Sequence, residues 1–312
     1  MIMETIIDAV DPQLIEQELI PRHFLRHANN AGTDIYTFTA HEAPHTMREL
    51  GRLRELAFRD AGGGTGKSVD IDDLDICAHP YHQLVVWDPQ ERMILGGYRY
   101  SLPGEGGAES PTMATGHLFE FSPQFRTQYL PYTIELGRSF VQPVYQSSRL
   151  RRKGIYALDN LWDGLGALVV LHPNVQYFFG KVTMYTHYNQ QARNTLHYFL
   201  QRYFPDPDHL AWPKLPLQLG IDRAQMERIF TGASYKENFE ILNAQLANFG
   251  EKIPPLIKSY IGLSSTMRTF GTALNPEFGN VEETGILVRI ADVYPDKSER
   301  HVESFRATLQ GQ

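Results

Sequence analysis

The segment Glu135-Leu136-Gly137-Arg138-Ser139-Phe140-Val141 sets a carboxylate and a guanidinium three residues apart inside a run of strand-forming residues. Alternation along a strand sends Glu135 and Arg138 to opposite faces, and Gly137 between them marks a place where a bulge would interrupt the ladder. A bulge frees backbone N–H groups around Arg138, Ser139 and Phe140. Beside a carboxylate such donors suit acyl transfer, because they hold a developing oxyanion while the carboxylate takes a proton from an attacking amine. The same side chains would also make a structural ion pair in a core strand, and on spacing alone both readings stand.

Other chemistry-bearing clusters are weaker. Ala61-Gly62-Gly63-Gly64-Thr65-Gly66-Lys67-Ser68 ends like a nucleotide-binding P-loop, with Ala at its first position. A P-loop follows a strand and opens a helix, whereas here a helical pattern precedes the glycines and Val69-Asp70-Ile71-Asp72-Asp73 follows. Acids beside a phosphate would repel it, so the expectation is a flexible loop near the site. The twelve histidines are scattered, and His79-Pro80-Tyr81-His82 lacks the spacing of a zinc site. Asp70, Asp72, Asp73 and Asp75 lack the glycine and terminal Glu of a calcium loop, so no metal is expected. Arg149-Leu150-Arg151-Arg152-Lys153-Gly154 precedes a helical stripe. Positive charge at a helix N-terminus opposes the dipole, which favours service to a partner over a merely solvated helix start.

The chain of 312 residues is long enough for a sizeable core, as one elaborated domain or two. A formal charge of −7 argues against general affinity for nucleic acid. The first residues carry Glu4, Asp8 and Asp11 without a basic start or apolar run, so a cytoplasmic location is expected. The apolar run near 165–171 is short of the roughly 20 residues of a membrane span. Cys77 is alone, which excludes an intramolecular disulfide and fits a reducing compartment.

Met47, Leu50, Leu53 and Leu56 predict a helix over 46–60; strands are predicted at 83–87, 93–100, 116–121 and 133–141. Ile155, Leu158, Leu161, Leu165 and Leu168 predict a helix, followed by a strand at 175–184 and a helix at 189–203, the pattern of a parallel crossover. Pro205, Pro207, Pro213 and Pro216 mark a boundary, beyond which helices at 235–249 and 255–270 and a strand near 285–291 are expected. The divisions are 1–45, an N-terminal extension; 46–204, the core; and 205–312, a C-terminal subdomain completing the fold.

Taken in order, Arg54-Glu55-Leu56-Ala57-Phe58, the Asp70–Asp75 run, His82-Gln83-Leu84-Val85-Val86-Trp87-Asp88, Gly96-Gly97-Tyr98-Arg99-Tyr100, Glu135 to Val141, Gln142-Pro143-Val144-Tyr145, Leu161-Trp162-Asp163-Gly164-Leu165 and Tyr177-Phe178-Phe179-Gly180 resemble a bacterial family. It is the hemolysin-like N-acyltransferases that make ornithine and glycine lipids, a branch of the GNAT superfamily; acyl-homoserine-lactone synthases are similar more distantly. The resemblance runs from about Arg48 to Tyr203, with an echo at Ile253-Pro254-Pro255-Leu256-Ile257-Lys258 and Asn275-Pro276-Glu277-Phe278-Gly279. It implies an α/β, GNAT-like, mixed and mostly antiparallel sheet flanked by helices, with a helical C-terminal extension.

The implied activity is transfer of a long-chain acyl group, with or without a 3-hydroxyl, from acyl carrier protein or acyl-CoA to the amine of ornithine or glycine, with no resident cofactor. Glu135 is expected to accept the proton of the attacking amine, directly or through water, Arg138 to fix the strand and the acidic loop, and backbone N–H groups from Arg138 through Ser139 to Phe140 to hold the oxyanion. Arg99 is expected to bind the acceptor carboxylate with two parallel hydrogen bonds. By analogy with the synthases, Asp72 and Asp75 face Arg99 or Arg138, and Arg54 and Phe58 either close over the acyl chain or pack the first helix.

Phe140, Val141 and the loop Arg149, Arg151, Arg152, Lys153 and Gly154 are expected to meet the donor. Tyr156 replaces the small residue of the usual coenzyme A loop, which favours acyl carrier protein. The alternatives are a lactone-synthase-like enzyme and a non-catalytic acyl- or carrier-binding module. Residues 253–270 mix apolar and basic side chains, which suggests either peripheral membrane contact or a core helix.

Overall fold

The computed structural model describes residues 3–104 and 113–311, with Gln146 and Arg151 described by backbone alone. Ten strands form: β1 (Phe24–His27), β2 (Asp34–Phe38), β3 (His82–Asp88), β4 (Met93–Ser101), β5 (Phe119–Phe121), β6 (Thr133–Val141), β7 (Tyr177–Met184), β8 (Ala211–Pro213), β9 (Arg268–Asn275) and β10 (Val281–Arg289). Eight of them make one sheet in the order β1-β2-β3-β4-β6-β7-β10-β9. Every neighbouring pair is antiparallel except β6 and β7, which the helix Ala157–Leu171 joins by a crossover. This is the expected mixed, mostly antiparallel sheet flanked by helices, and it draws strands from all three divisions of the sequence.

Both faces of the sheet are buried, and the alternation in β3 shows how. Leu84 and Val86 pack with Leu161, Leu165 and Leu168 of the crossover helix, while Val85 and Trp87 pack with Met47, Leu50 and Leu53 of the helix Pro44–Asp60. A run apolar at every position is what a doubly covered strand requires. Gly96 permits the close approach of β4 and β6, since a Cβ there would lie 2.5 Å from the Phe140 carbonyl oxygen.

Two irregularities of β6 shape the molecule. Gly97 opposes Phe140 and Arg99 opposes Gly137, so Tyr98 alone faces the two residues Arg138 and Ser139. The expected bulge therefore exists. Its left-handed residue is Arg138, with φ 50°, rather than Gly137. The second irregularity is a splay: β6 and β7 pair from Thr133↔Tyr177 to Leu136↔Gly180, and beyond that register they pair no further although both strands continue. The wedge between them opens at Gly137, beside the bulge.

Some elements differ from the sequence expectation. The strand expected at 116–121 is a short helical turn (Ala114–His117) followed by β5, which pairs with β8 in a separate two-stranded sheet. The helix expected over 255–270 ends at Ile261, and β9 begins at Arg268. Ile257, Tyr260, Ile261, Met267 and Phe270 are all buried, and Arg268 pairs with Asp206 and Asp208. The segment considered for a lipid surface is therefore core. β1 and β2 were not anticipated.

Candidate active site

The wedge between β6 and β7 opens into a cleft of about 420 Å³, walled by Asp72, Arg99, Ala114, Thr115, His117, Glu135, Gly137, Arg138, Lys181, Asn275 and Glu277 among others. A smaller cavity shares Leu136, Gly137, Arg138, Lys181 and Phe278 with it and adds Phe58, Tyr98, Ser139, Leu256 and Tyr260. Both spaces carry charge, the smaller one through Arg138, Lys181 and Glu283 beside its aromatic residues, and the bulge lies on the wall common to both.

Glu135 is buried at the cleft wall. One carboxylate oxygen accepts from the Thr115 N–H (2.8 Å) and hydroxyl (2.7 Å), and the other from the Tyr81 hydroxyl (2.6 Å) and the Ala114 N–H (2.8 Å). Four donors saturate the lone pairs of a carboxylate. Direct proton acceptance by Glu135, expected from the sequence, does not fit this arrangement. Instead Glu135 anchors the turn Ala114–His117. Burial and the adjacent carboxylate push the Tyr81 phenol pKa far up, so it stays a donor.

The acidic loop meets the arginines as the resemblance implied. Arg99 Nη1 lies 2.5 Å from Asp72 and 3.2 Å from Asp75, and Arg138 reaches Asp70 (2.8 Å) and Asp72 (3.3 Å). Arg54, fully buried, donates to Asp75 at 3.2 Å and to the Gln83 side chain. Burial alone would raise the pKa of Asp75, but Arg54 and Arg99 outweigh it and hold it at about 2. Burial opposes the charge of Arg99, yet Asp75 and Asp72 overcome it and raise its pKa.

Two expectations change here. Arg99 commits Nη1 to Asp72 and Asp75, which narrows a two-pronged grip on an acceptor carboxylate to Nε, buried without a partner among the described residues, and Nη2. Arg54 is internal scaffolding, whereas Phe58 stacks edge-on against Phe278 (5.1 Å) and faces the smaller cavity.

Sequence reasoning passed over His117, Lys181, Tyr98 and Asn275. His117 Nδ1 bonds the Ala114 carbonyl, which fixes the ring as the Nδ1–H tautomer and leaves Nε2 an acceptor. Burial lowers its pKa against that hydrogen bond, so the ring is neutral at pH 7. Lys181 Nζ sits 2.6 Å from Glu283, and burial lowers its pKa while Glu283 pulls it back up. The Tyr98 hydroxyl is buried in the wall of the smaller cavity opposite the bulge, beside Ser139 and Tyr260. Isolated residues of these types on strands carry no spacing signal. Only the strand register brings them together.

The basic run is divided. Lys153 bonds both oxygens of buried Asp88 (2.8 and 2.7 Å), which also accepts from Tyr145. Gly154 is required by packing, since a Cβ would lie 2.2 Å from the Tyr145 carbonyl oxygen. Arg149 is exposed and pairs with Glu91, and Arg152 is exposed; the Arg151 side chain lies outside the described residues. Lys153 and Gly154 are thus engaged in structure, whereas Arg149 and Arg152 face outward. Phe140 packs beneath the helix Pro44–Asp60, and Val141 is partly buried on the opposite face.

The glycine-rich loop is held, not free. Glu55 accepts from the N–H groups of Thr65 (3.0 Å) and Gly66 (2.8 Å), the Thr65 hydroxyl (2.7 Å) and Arg59 (2.7 Å). The donors that would cradle a phosphate are spent on a carboxylate of the same chain.

Fold and cleft together define a GNAT-type acyltransferase. Residues 53–153 match the family described as acetyltransferase (GNAT) domain. Over 306 residues the chain is 51% identical to a glycine N(alpha)-acyltransferase of Phocaeicola vulgatus, covering 97% of this chain and 94% of the relative. A glycine N(alpha)-acyltransferase of Bacteroides thetaiotaomicron is likewise 51% identical, covering 97% of this chain and 91% of that one. Among solved structures, a CoA-dependent acyl-homoserine lactone synthase, BjaI, with SAM and isopentyl-CoA, aligns with a TM-score of 0.38 at 12% identity, covering 86% of this chain and 87% of that one. The chain belongs to this GNAT family of N-acyltransferases.

Proposed function

We propose that the enzyme transfers a long-chain acyl group from a thioester donor to the amino group of glycine, giving an N-acylglycine and a free thiol. The observation that supports this reading best is the bulge at Arg138 and Ser139, on the wall common to a charged cleft and a smaller cavity lined in part by Phe58, Tyr98, Leu256 and Tyr260. In the proposed course the acyl chain enters the smaller cavity between Phe58, Tyr98, Leu256 and Tyr260. The thioester carbonyl meets the N–H groups of the bulge, and the amine attacks from the charged side. A C–N bond forms and the C–S bond breaks. His117 Nε2 takes the proton of the attacking amine and passes it to the departing sulfur, which leaves as the free thiol. Glu135 positions His117 through Ala114, and Arg138 holds the bulge against the acidic loop.

For the donor we favour acyl carrier protein over acyl-CoA, because exposed Arg149 and Arg152 suit an acidic partner while Lys153 and Gly154 are absorbed into structure. Glycine is favoured over ornithine by the relatives' names. The reading places the reaction in the cytoplasm, as a step in aminolipid synthesis. Mass spectrometry of lipids from cells overexpressing the protein tests it: N-acylglycines should accumulate, and accumulation of N-acylornithine alone would reject the glycine assignment.

A further inference from the structure

Three residues of the cleft lie on one face of neighbouring strands. In the ladder Lys181 of β7 opposes Gly285 of β10, while Glu283 of β10 opposes Thr183, so Lys181 and Glu283 are diagonal neighbours. Glu283 in turn opposes Ala273 of β9, with Asn275 two residues on. Lys181 Nζ lies 2.6 Å from Glu283 Oε2, and Asn275 Nδ2 donates to Glu283 Oε1 at 3.1 Å.

That last bond decides the orientation of the amide. A carboxylate only accepts, so the nitrogen of Asn275 must face Glu283 and Oδ1 must face away from it. Asn275 Oδ1 is buried and has no partner among the described residues, in a side chain that is 3% exposed and lines the cleft. An orphaned buried acceptor calls for a donor. Lys181 and Arg138 both border the two spaces; Arg138 meets two carboxylates, Asp70 and Asp72, and Arg99 meets Asp72 and Asp75, whereas Lys181 meets one, Glu283. Lys181 is thus the singly paired cation at the junction of the two cavities, where the acceptor would meet the thioester.

We propose that Lys181 and Asn275, braced by Glu283, form the acceptor subsite: Lys181 Nζ binds the amino acid's carboxylate and Asn275 Oδ1 accepts a hydrogen bond from its amino group. The assignment rests on the glycine reading above and extends it to the residues that select a small α-amino acid over a simple amine. A carboxylate held at Lys181 orients the amine towards the bulge.

The test compares glycine with glycinamide, which keeps the amine and lacks the carboxylate, using one acyl thioester donor throughout. Lys181→Gln should lower kcat/KM for glycine by roughly 30-fold or more and for glycinamide by less than about threefold, as loss of a charge-assisted contact predicts. Asn275→Leu should lower both in parallel, and Lys181→Arg should restore part of the preference for glycine. Equal losses with both amines in Lys181→Gln, or a change confined to the KM of the donor, would overturn the subsite and leave the Lys181–Glu283 pair a structural one. Where Lys181→Gln fails to fold, Lys181→Met with Glu283→Gln removes the unpaired charge, and the same loss of discrimination is expected from it. A wild-type enzyme that acylates neither amine would instead reject the glycine reading itself.

Discussion

Thr115 donates twice to a single oxygen of Glu135, through its N–H at 2.8 Å and its hydroxyl at 2.7 Å. The other oxygen takes the Ala114 N–H, and the Ala114 carbonyl receives His117 Nδ1. Glu135 thereby fixes the turn whose carbonyl sets the position and the tautomer of the histidine. Replacing it by glutamine presents an NH₂ to donors. Glu135→Gln is expected to cost about 2–4 kcal/mol of stability, because buried donors lose their acceptor.

His117→Gln separates chemistry from structure. The ring is at the surface of the cleft, so the thermal midpoint should hold while turnover falls by roughly two to four orders of magnitude. Because burial lowers the pKa of His117, the wild-type enzyme should show a rising limb of kcat/KM below pH 6.5 that the variant lacks. Normal turnover in a folded His117→Gln enzyme would exclude it as the base.

Gly137 tests the geometry of the wedge. A Cβ there meets nothing within 4 Å, and the residue lines both spaces, so the added methyl group would stand in the passage between them. Gly137→Ala should melt within about 1 kcal/mol of the wild type, as expected away from strained or crowded sites, yet lose most of its activity. A folded variant with full activity would show that the acyl carbonyl does not sit there.

The basic run should divide under mutation. Lys153→Met leaves buried Asp88 with its charge uncompensated by lysine and is expected to destabilise by about 3–5 kcal/mol. Arg149→Glu with Arg152→Glu should leave the melting temperature unchanged and raise the KM for acyl carrier protein thioesters more than for acyl-CoA. Equal effects on both donors would remove the carrier preference.

Acid should unfold the protein in two windows. Burial, reinforced by Arg193, lowers the pKa of His197 to about 4, below its unfolded value, so its neutral form is the folded one. Stability is full above about pH 6.5 and falls by roughly 3 kcal/mol between there and pH 4. Asp75 is held at about 2, so its contribution is full above about pH 4 and is lost as the pH falls through 2, by roughly 2–3 kcal/mol. His197→Phe should abolish the first window alone in denaturant titrations across pH, and persistence of that window would locate the proton elsewhere.

The sequence made β3, β4, β6, β7 and the first long helix legible, because alternation and helical spacing are properties of consecutive residues. It also marked the bulge, through a glycine between two charges. The left-handed residue fell one position later because Arg138 is held there by Asp70 and Asp72, a contact made 66 to 68 residues away. β1 and β2 were hidden for a related reason: short strands borrow their stability from neighbours in the sheet. The partners of Glu135 and Lys153 were not legible, because a side chain's availability depends on which donors or acceptors already hold it, and no spacing rule records that.

The account's central claim is that the wedge between β6 and β7 joins an acyl group to the nitrogen of glycine. The direct measurement is to incubate purified protein with a long-chain acyl carrier protein thioester and isotope-labelled glycine, following free thiol and product mass together. One equivalent of thiol should appear for each labelled N-acylglycine formed, with both lost in His117→Gln. Thiol release without labelled amide, or no reaction by folded protein with either the carrier thioester or the matching acyl-CoA, would contradict it.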